Sequence, residues 1–204
     1  PDQARDYAHL AGTEGEKLGH AYWLALAKTL GLCHVHLLRR EGERAEEIAT
    51  SALRIARDGH YQTIELAARI YRSCAQIEMG NPHQALATLE EDLALYQASE
   101  HRFFFTLYLA YQARACCLTG EIERGLDVIA VALDLVNGGD RLYEAELHRI
   151  HGDLLLSTNR VDRAETAYQR AVEVAAKQEA HGLHLRASAS LARFWQAQGR
   201  QPEA

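Results

Sequence analysis

The side chains with the greatest chemical potential in this 204-residue chain are eleven histidines and four cysteines. His148 and His151 are spaced i, i+3, as are His181 and His184, and on a helix that spacing places two imidazoles on one face. Two ligands are not a site: a structural zinc needs four and a catalytic zinc three plus water. Glu144 extends the first stripe but stands seven residues from His151, about 10 Å of helix rise, too far to share one ion. These residues read as packed or solvated histidines, and neither a metal nor a cofactor is expected. A second line, His20, His60, His101 and His181 with Asp140 in the fourth place, recurs roughly every 40 residues. Helices packed about 10 Å apart cannot bring such a line to one point. It reads as a polar residue at each helix entrance, or else as a surface whose charge changes near pH 6–7.

Nucleophilic chemistry is no better supported. There is no G-x-S-x-G and no glycine-rich loop closing in Gly-Lys-Ser/Thr. The segment from Gly12 to Lys17 has the wrong spacing to cradle a phosphate. Cys33, Cys74, Cys116 and Cys117 form no C-x-x-C pair. Three of them fall where a helix needs a small buried residue, which free cysteine supplies. A reducing cytoplasm fits them, and no enzymatic activity is expected.

The formal net charge is −6, with basic residues scattered among acidic ones. A nucleic-acid backbone attracts clustered Lys and Arg, so no nucleic-acid partner is expected. No apolar run approaches the ~20 residues that span a bilayer, so no membrane partner is expected either. Arginine outnumbers lysine 19 to 3, a bias that accompanies GC-rich genomes and points to a bacterial source.

The elements that carry these residues are repeated. Small residues at Cys33, Ser73, Ala113, Gly152 and Ala192 are spaced 39 or 40 apart, and a second ladder runs Ala4, Ala45, Ala85, Gly125, Ala164, Ala204 at 39 to 41. Gly42, Gly80, Gly120, Asn159 and Gly199 punctuate the chain where a left-handed residue can close a helix. Between these marks Ala, Leu, Glu, Arg and Gln dominate, all good helix formers. The pattern predicts an all-α fold: a right-handed superhelical solenoid of antiparallel helix hairpins with a period of about 40 residues. A hairpin cannot bury its apolar faces alone, and stacking makes one continuous core. The expected division is one repeat domain over 1–204. Residues 1–19 would be the second helix of a truncated unit, 20–59, 60–100, 101–139 and 140–180 full hairpins, and 181–204 a truncated last unit.

The stretch from Ala145 to Val174, AELHRIHGDLLLSTNRVDRAETAYQRAVEV, resembles a tetratricopeptide repeat, with Gly152, Ala164, Tyr168 and Ala171 on that motif's small, small, aromatic and small positions. His148 and His151 depart from its usual aromatic and leucine, and the period exceeds the usual 34. The phrases YEAELHRIHGDLLL, AETAYQRAVEVAAKQEA and LRASASLARFWQAQGR resemble the C-terminal helical repeats of large bacterial signalling NTPases, of the LuxR-type or adenylate-cyclase-linked kinds. That resemblance implies an upstream ATPase domain and a helix-turn-helix or cyclase output domain, with the chain as a piece of a longer array.

In such arrays one stripe of each first helix lines a concave groove. Taking Phe103, Leu107, Ala110 and Arg114 as that stripe, the register adds Trp23 and His34, then Glu146, Arg149 and Asp153, then Arg186 and Arg193. The expected groove is apolar toward its N-terminal end and charged from Arg114 onward. Two functions follow as expectations. One is a scaffold that binds a protein or peptide, including an upstream domain of the same polypeptide. The other is a sensor that takes a small effector and controls an upstream NTPase or transcriptional output domain. Truncated ends would also self-associate, with Phe194 and Trp195 as participants.

Overall fold

The computed structural model describes residues 2–99 and 103–200. In chain order they form α1 (Asp2–Lys17), α2 (Ala21–Leu26), a π-helical segment (Ala27–Cys33), α3 (His34–Leu38), α4 (Gly42–Asp58), α5 (Gln62–Glu78) and α6 (Pro82–Ala98). There follow α7 (Phe105–Thr119), α8 (Ile122–Asn137), α9 (Glu144–Ser157), α10 (Val161–Lys177) and α11 (His181–Ala197). Among the described residues there is no strand, so the fold is all-α. The α2, π and α3 segments run on without a break as one rod.

One turn design closes most of these helices. An amide two or three residues past the helix end donates to a carbonyl five residues back: Glu41 to His36, Tyr61 to Ala56, Asn81 to Gln76 and Glu121 to Cys116, at 2.8 to 2.9 Å. Asp140 to Leu135, Arg160 to Leu155, Ala180 to Ala175 and Arg200 to Trp195 repeat it at 2.9 to 3.1 Å. The residue before each donor takes positive φ, at Arg40, His60, Gly80, Gly120, Gly139, Asn159, Glu179 and Gly199. This is the Schellman closure, which satisfies carbonyls the helix leaves over. The left-handed residue in the turn before α4 is Arg40, not Gly42, which opens α4 and is buried.

The chain divides into two compact units, residues 1–103 and 104–204. In the first, α4 packs on the rod and on α5, and α5 packs in turn on α6. Cys33, Ala45, Ala49, Ala68 and Ala75 are sealed from solvent, and Ser73 is buried with them. The small side chains let the helices approach, while Leu37, Ile70, Tyr71 and Ile77 fill the remaining space. Arg69 of α5 pairs with Asp92 of α6, whose side chain is fully buried.

In the second unit α9 packs on all four neighbours, α7, α8, α10 and α11. Ala113, Gly152, Ala164 and Gly125 of the two small-residue ladders are buried here. Ala192 is only half-buried and Ala4, in the first unit, is exposed, while Ala204 lies outside the described residues. Phe194 does not stand at an open surface. It is 3% exposed, packed against Tyr168 at 5.7 Å between ring centroids, because Leu191 and Phe194 share the face of α11 turned to α10. Trp195 is half-buried, and its indole N–H donates to Glu165 at 2.8 Å.

Candidate functional site

In the first unit the sequence places Tyr22 and Trp23 just after the Gly19–His20 turn, and Tyr61 at the entrance of α5. The three rings form a cluster. Tyr22 stands edge-on to Trp23 at 5.4 Å and to Tyr61 at 5.2 Å, with interplanar angles of 85° in both pairs, and His20 lies 6.4 Å from Trp23. Below them a cavity of about 180 Å³ runs between the rod and α5. Tyr22, Leu26, Thr29 and Leu30 form one wall, Thr63, Ile64 and Ala67 the other, and Tyr96 and Phe103 close it. The Tyr96 hydroxyl donates to the Phe103 carbonyl at 2.8 Å, which fixes that closing edge. Thr29 is fully buried and returns its hydroxyl to the Ala25 carbonyl at 2.8 Å, so the cavity floor is apolar in effect. A second cavity of about 220 Å³, lined by Tyr22 and by His60 through Ile64, shares the Tyr22 wall.

The π-helical segment shapes this site. A turn closed i→i+5 is wider than an α turn and rotates everything after it. Trp23, ahead of the segment, faces solvent, 55% exposed; Leu30 within it faces the cavity, and His34 after it turns onto α5, where its Nδ1 lies 2.9 Å from the buried Tyr71 hydroxyl. Burial pushes the His34 imidazole down to about 4, so it is neutral at physiological pH. The projection that put Trp23 and His34 on one stripe assumed unbroken α geometry, and the π segment lies between them.

The second unit carries the charged cluster. Arg149 is 6% exposed and grips Glu146 with two parallel bonds, Nη2 to Oε1 at 2.9 Å and Nε to Oε2 at 3.1 Å. Its Nη1 donates to Asp153 at 2.7 Å, and Asp153 also accepts from Tyr168 at 2.7 Å. Arg186 reaches Glu146 at 3.4 Å. Glu144, 3% exposed, takes Arg141 at 3.0 Å and Arg170 at 3.4 Å. Burial works against the Arg149 charge, and Glu146 and Asp153 more than offset it, holding the guanidinium above its ordinary range. A helix with four neighbours has little face left for solvent, so the polar side chains of α9 are drawn inside and must satisfy one another.

The sequence-derived groove residues divide accordingly. Trp23 and Phe103 are exposed, and Phe103 borders the first cavity. Leu107, at 3%, lies in the core of the second unit, with Ala110 at 1%. Arg114 and Asp153 are half-buried, Glu146 and Arg149 are buried in their mutual pair, Arg186 is half-buried, and Arg193 is exposed with its Nε on the Ala189 carbonyl. Sequence reasoning missed Tyr22, Leu26, Thr29, Ile64 and Tyr96. The adjacent Tyr22 and Trp23 were the available signal.

His148 and His151 are partly buried, both held below the usual imidazole range by that burial. His20, His60 and His181 are exposed, and His101 lies outside the described residues. Among the described residues no three His, Cys, Asp or Glu side chains are grouped to hold a metal ion, and no helix is long and apolar enough to cross a membrane. A scan of the chain against protein-family models finds no match, and a search of the curated proteins finds no significant relative. The fold and site define an all-α protein of closely packed helices with an aromatic-rimmed apolar groove.

Proposed function

We propose that this chain is a recognition module that binds a protein or peptide in the groove of its first unit, within a tetratricopeptide-like solenoid of helical hairpins. What carries the reading is Phe103, 71% exposed at the edge of an apolar cavity, together with Trp23, 55% exposed and edge-on to Tyr22, which lines that cavity. Aromatic anchors beside a pocket are the features that dominate binding energy at interfaces. The buried charges of the second unit are already paired with one another, and they act as internal cross-links between α9, α10 and α11.

The size of the cavities favours a peptide over an enclosed effector. Sites for small molecules run to about 300–1,000 Å³ and bury most of the ligand, whereas these hold about 180 and 220 Å³. Each suits a single side chain of an extended partner.

The test is selection of displayed random peptides on the 204-residue chain, followed by dissociation constants for the enriched peptides. Leu30→Lys and Phe103→Ala should each weaken binding about tenfold or more, equivalent to about 1.4 kcal/mol. No enrichment, or enriched peptides indifferent to both changes, would remove the groove from consideration.

A further inference from the structure

We infer that the corner formed by Tyr22, Trp23 and Tyr61 is a cation-recognition site that takes an arginine or lysine side chain from the bound peptide. The inference rests on the groove reading and adds the chemistry of a second position on the same ligand. Ring faces carry negative electrostatic potential and attract a guanidinium or ammonium placed over them. Here Tyr22 stands at 85° to both Trp23 and Tyr61, so the rings form perpendicular walls and not a closed stack. Trp23 is 55% exposed and Tyr22 38%. Exposed aromatic surface of this kind on an otherwise polar helical entrance marks an interaction site.

The neighbouring cavity supplies the rest of the recognition. Its volume of about 220 Å³ is that of about seven waters at ~30 Å³ each, enough for a guanidinium and its last methylenes. Besides the two tyrosines it is bounded by His60, Gln62 and Thr63, whose side chains offer acceptors to N–H groups. Arg57, four residues before Tyr61 in the chain, is engaged with Glu65 at 2.9 Å. The stretch 1–103 holds fifteen acidic residues against eleven Lys and Arg, a net −4, which draws a basic segment toward it. Tyr22 walls both cavities, so the cation and an apolar anchor of the same peptide would sit on either side of one ring.

The second unit contains the same kind of contact. Arg200 lies over Trp195 at 5.6 Å while Glu165 binds both the guanidinium and the indole N–H. The chain has two tryptophans, so Trp195, already occupied, serves as an internal control for Trp23.

The experiment follows the two indole N–H resonances of the full chain during titration with N-acetyl-arginine amide. The neutral, shape-matched N-acetyl-citrulline amide is run at equal ionic strength, and the resonances are assigned with Trp195→Phe. The Trp23 resonance should move saturably with the arginine compound and at least fivefold less with citrulline, while Trp195 stays still. Tyr22→Leu and Tyr61→Leu, checked for retained helicity, should each weaken the response at least threefold. An equal response to citrulline, equal movement of both indoles, or an unchanged response in both folded tyrosine variants would overturn the inference. This titration needs no peptide, so it stands or falls separately from the selection experiment. If peptides bind through Leu30 and Phe103 but prefer no basic residue, the cation site alone is refuted.

Discussion

The ring of Tyr168 in α10 lies against the backbone of Gly152 in α9 with no space for a side chain between them. A Cβ built on Gly152 would stand 2.6 Å from Cε1 and 2.7 Å from Cδ1 of that ring. Tyr168 is 2% exposed and anchored through its hydroxyl to Asp153 at 2.7 Å, so it cannot swing aside without breaking that bond. Alanine is about 1 kcal/mol better than glycine inside a helix, yet overpacking costs about 1–3 kcal/mol. Gly152→Ala should therefore lower stability in a urea titration, and Gly152→Leu should lower it further. Gly182 is the contrast. It lies in α11, exposed, with nothing within 4 Å of its would-be Cβ, so Gly182→Ala should raise stability by up to about 1 kcal/mol. Equal responses at the two sites would show that the close approach does not govern packing.

Arg149 gives a test of the buried charges. Removing one partner of a buried ion pair costs about 3–5 kcal/mol, because it leaves a charge without compensation. Arg149→Met should show a loss of that order in denaturant unfolding, and Arg149→Lys should not rescue it, since an ammonium cannot reproduce the two parallel bonds to Glu146. Glu146→Leu combined with Arg149→Met should recover part of the loss. A double variant no more stable than the single one would argue against Glu146 as the stranded charge.

These two sites show what the sequence made legible. Gly152, Ala113, Ser73 and Cys33 were readable as close-approach positions because helices that pack tightly need small residues at regular intervals, and all four are buried. The interior position of Arg149 was not readable. Its burial follows from the four helices around α9, a tertiary fact that no local pattern encodes. The turns were half-legible. Glycine marked several, but at Arg40, His60 and Glu179 the left-handed position is held by another residue, since hydrogen bonding of the helix end fixes the place and the residue only tolerates it. The groove was blurred most by the Ala27–Cys33 segment, whose π geometry a regular helical projection leaves out: Leu30 lines the cavity with Phe103, while His34 turns onto Tyr71.

His34 makes stability depend on pH with a definite sign. Its folded-state value is lowered to about 4 by burial, against about 6.5 in an unfolded chain. Between those values the unfolded chain binds a proton that the folded chain does not. Stability is therefore full above about pH 6.5 and falls as the pH drops toward 4. The contribution is about 2 kcal/mol, allowing for partial exposure of the ring. His148 and His151 are shifted in the same direction for the same reason, and add to the trend. His34→Gln, with an amide still able to meet Tyr71, should flatten the fall between pH 6.5 and 4 relative to the parent chain. Parallel curves would mean that His34 is not the titrating group.

Glu179 tests the turn design. It sits at φ +52° between α10 and α11, where the Ala180 amide donates to the Ala175 carbonyl at 3.0 Å. A left-handed conformation costs an ordinary L-residue about 1–2 kcal/mol, and glycine escapes that cost. Glycine also adds freedom to the unfolded chain, which takes back about 0.4–1 kcal/mol. Glu179→Gly should therefore stabilise the chain by about 0.5–1 kcal/mol, seen as a rise of about 1–4 °C in melting temperature. Asn159 holds the equivalent place between α9 and α10 at φ +58°, and asparagine tolerates this region well, so Asn159→Gly should change little. Gly120→Ala, at φ +84° with open space around it, should destabilise through backbone strain alone. If Glu179→Gly and Asn159→Gly act alike, or Gly120→Ala is neutral, the left-handed positions do not carry the strain assigned to them.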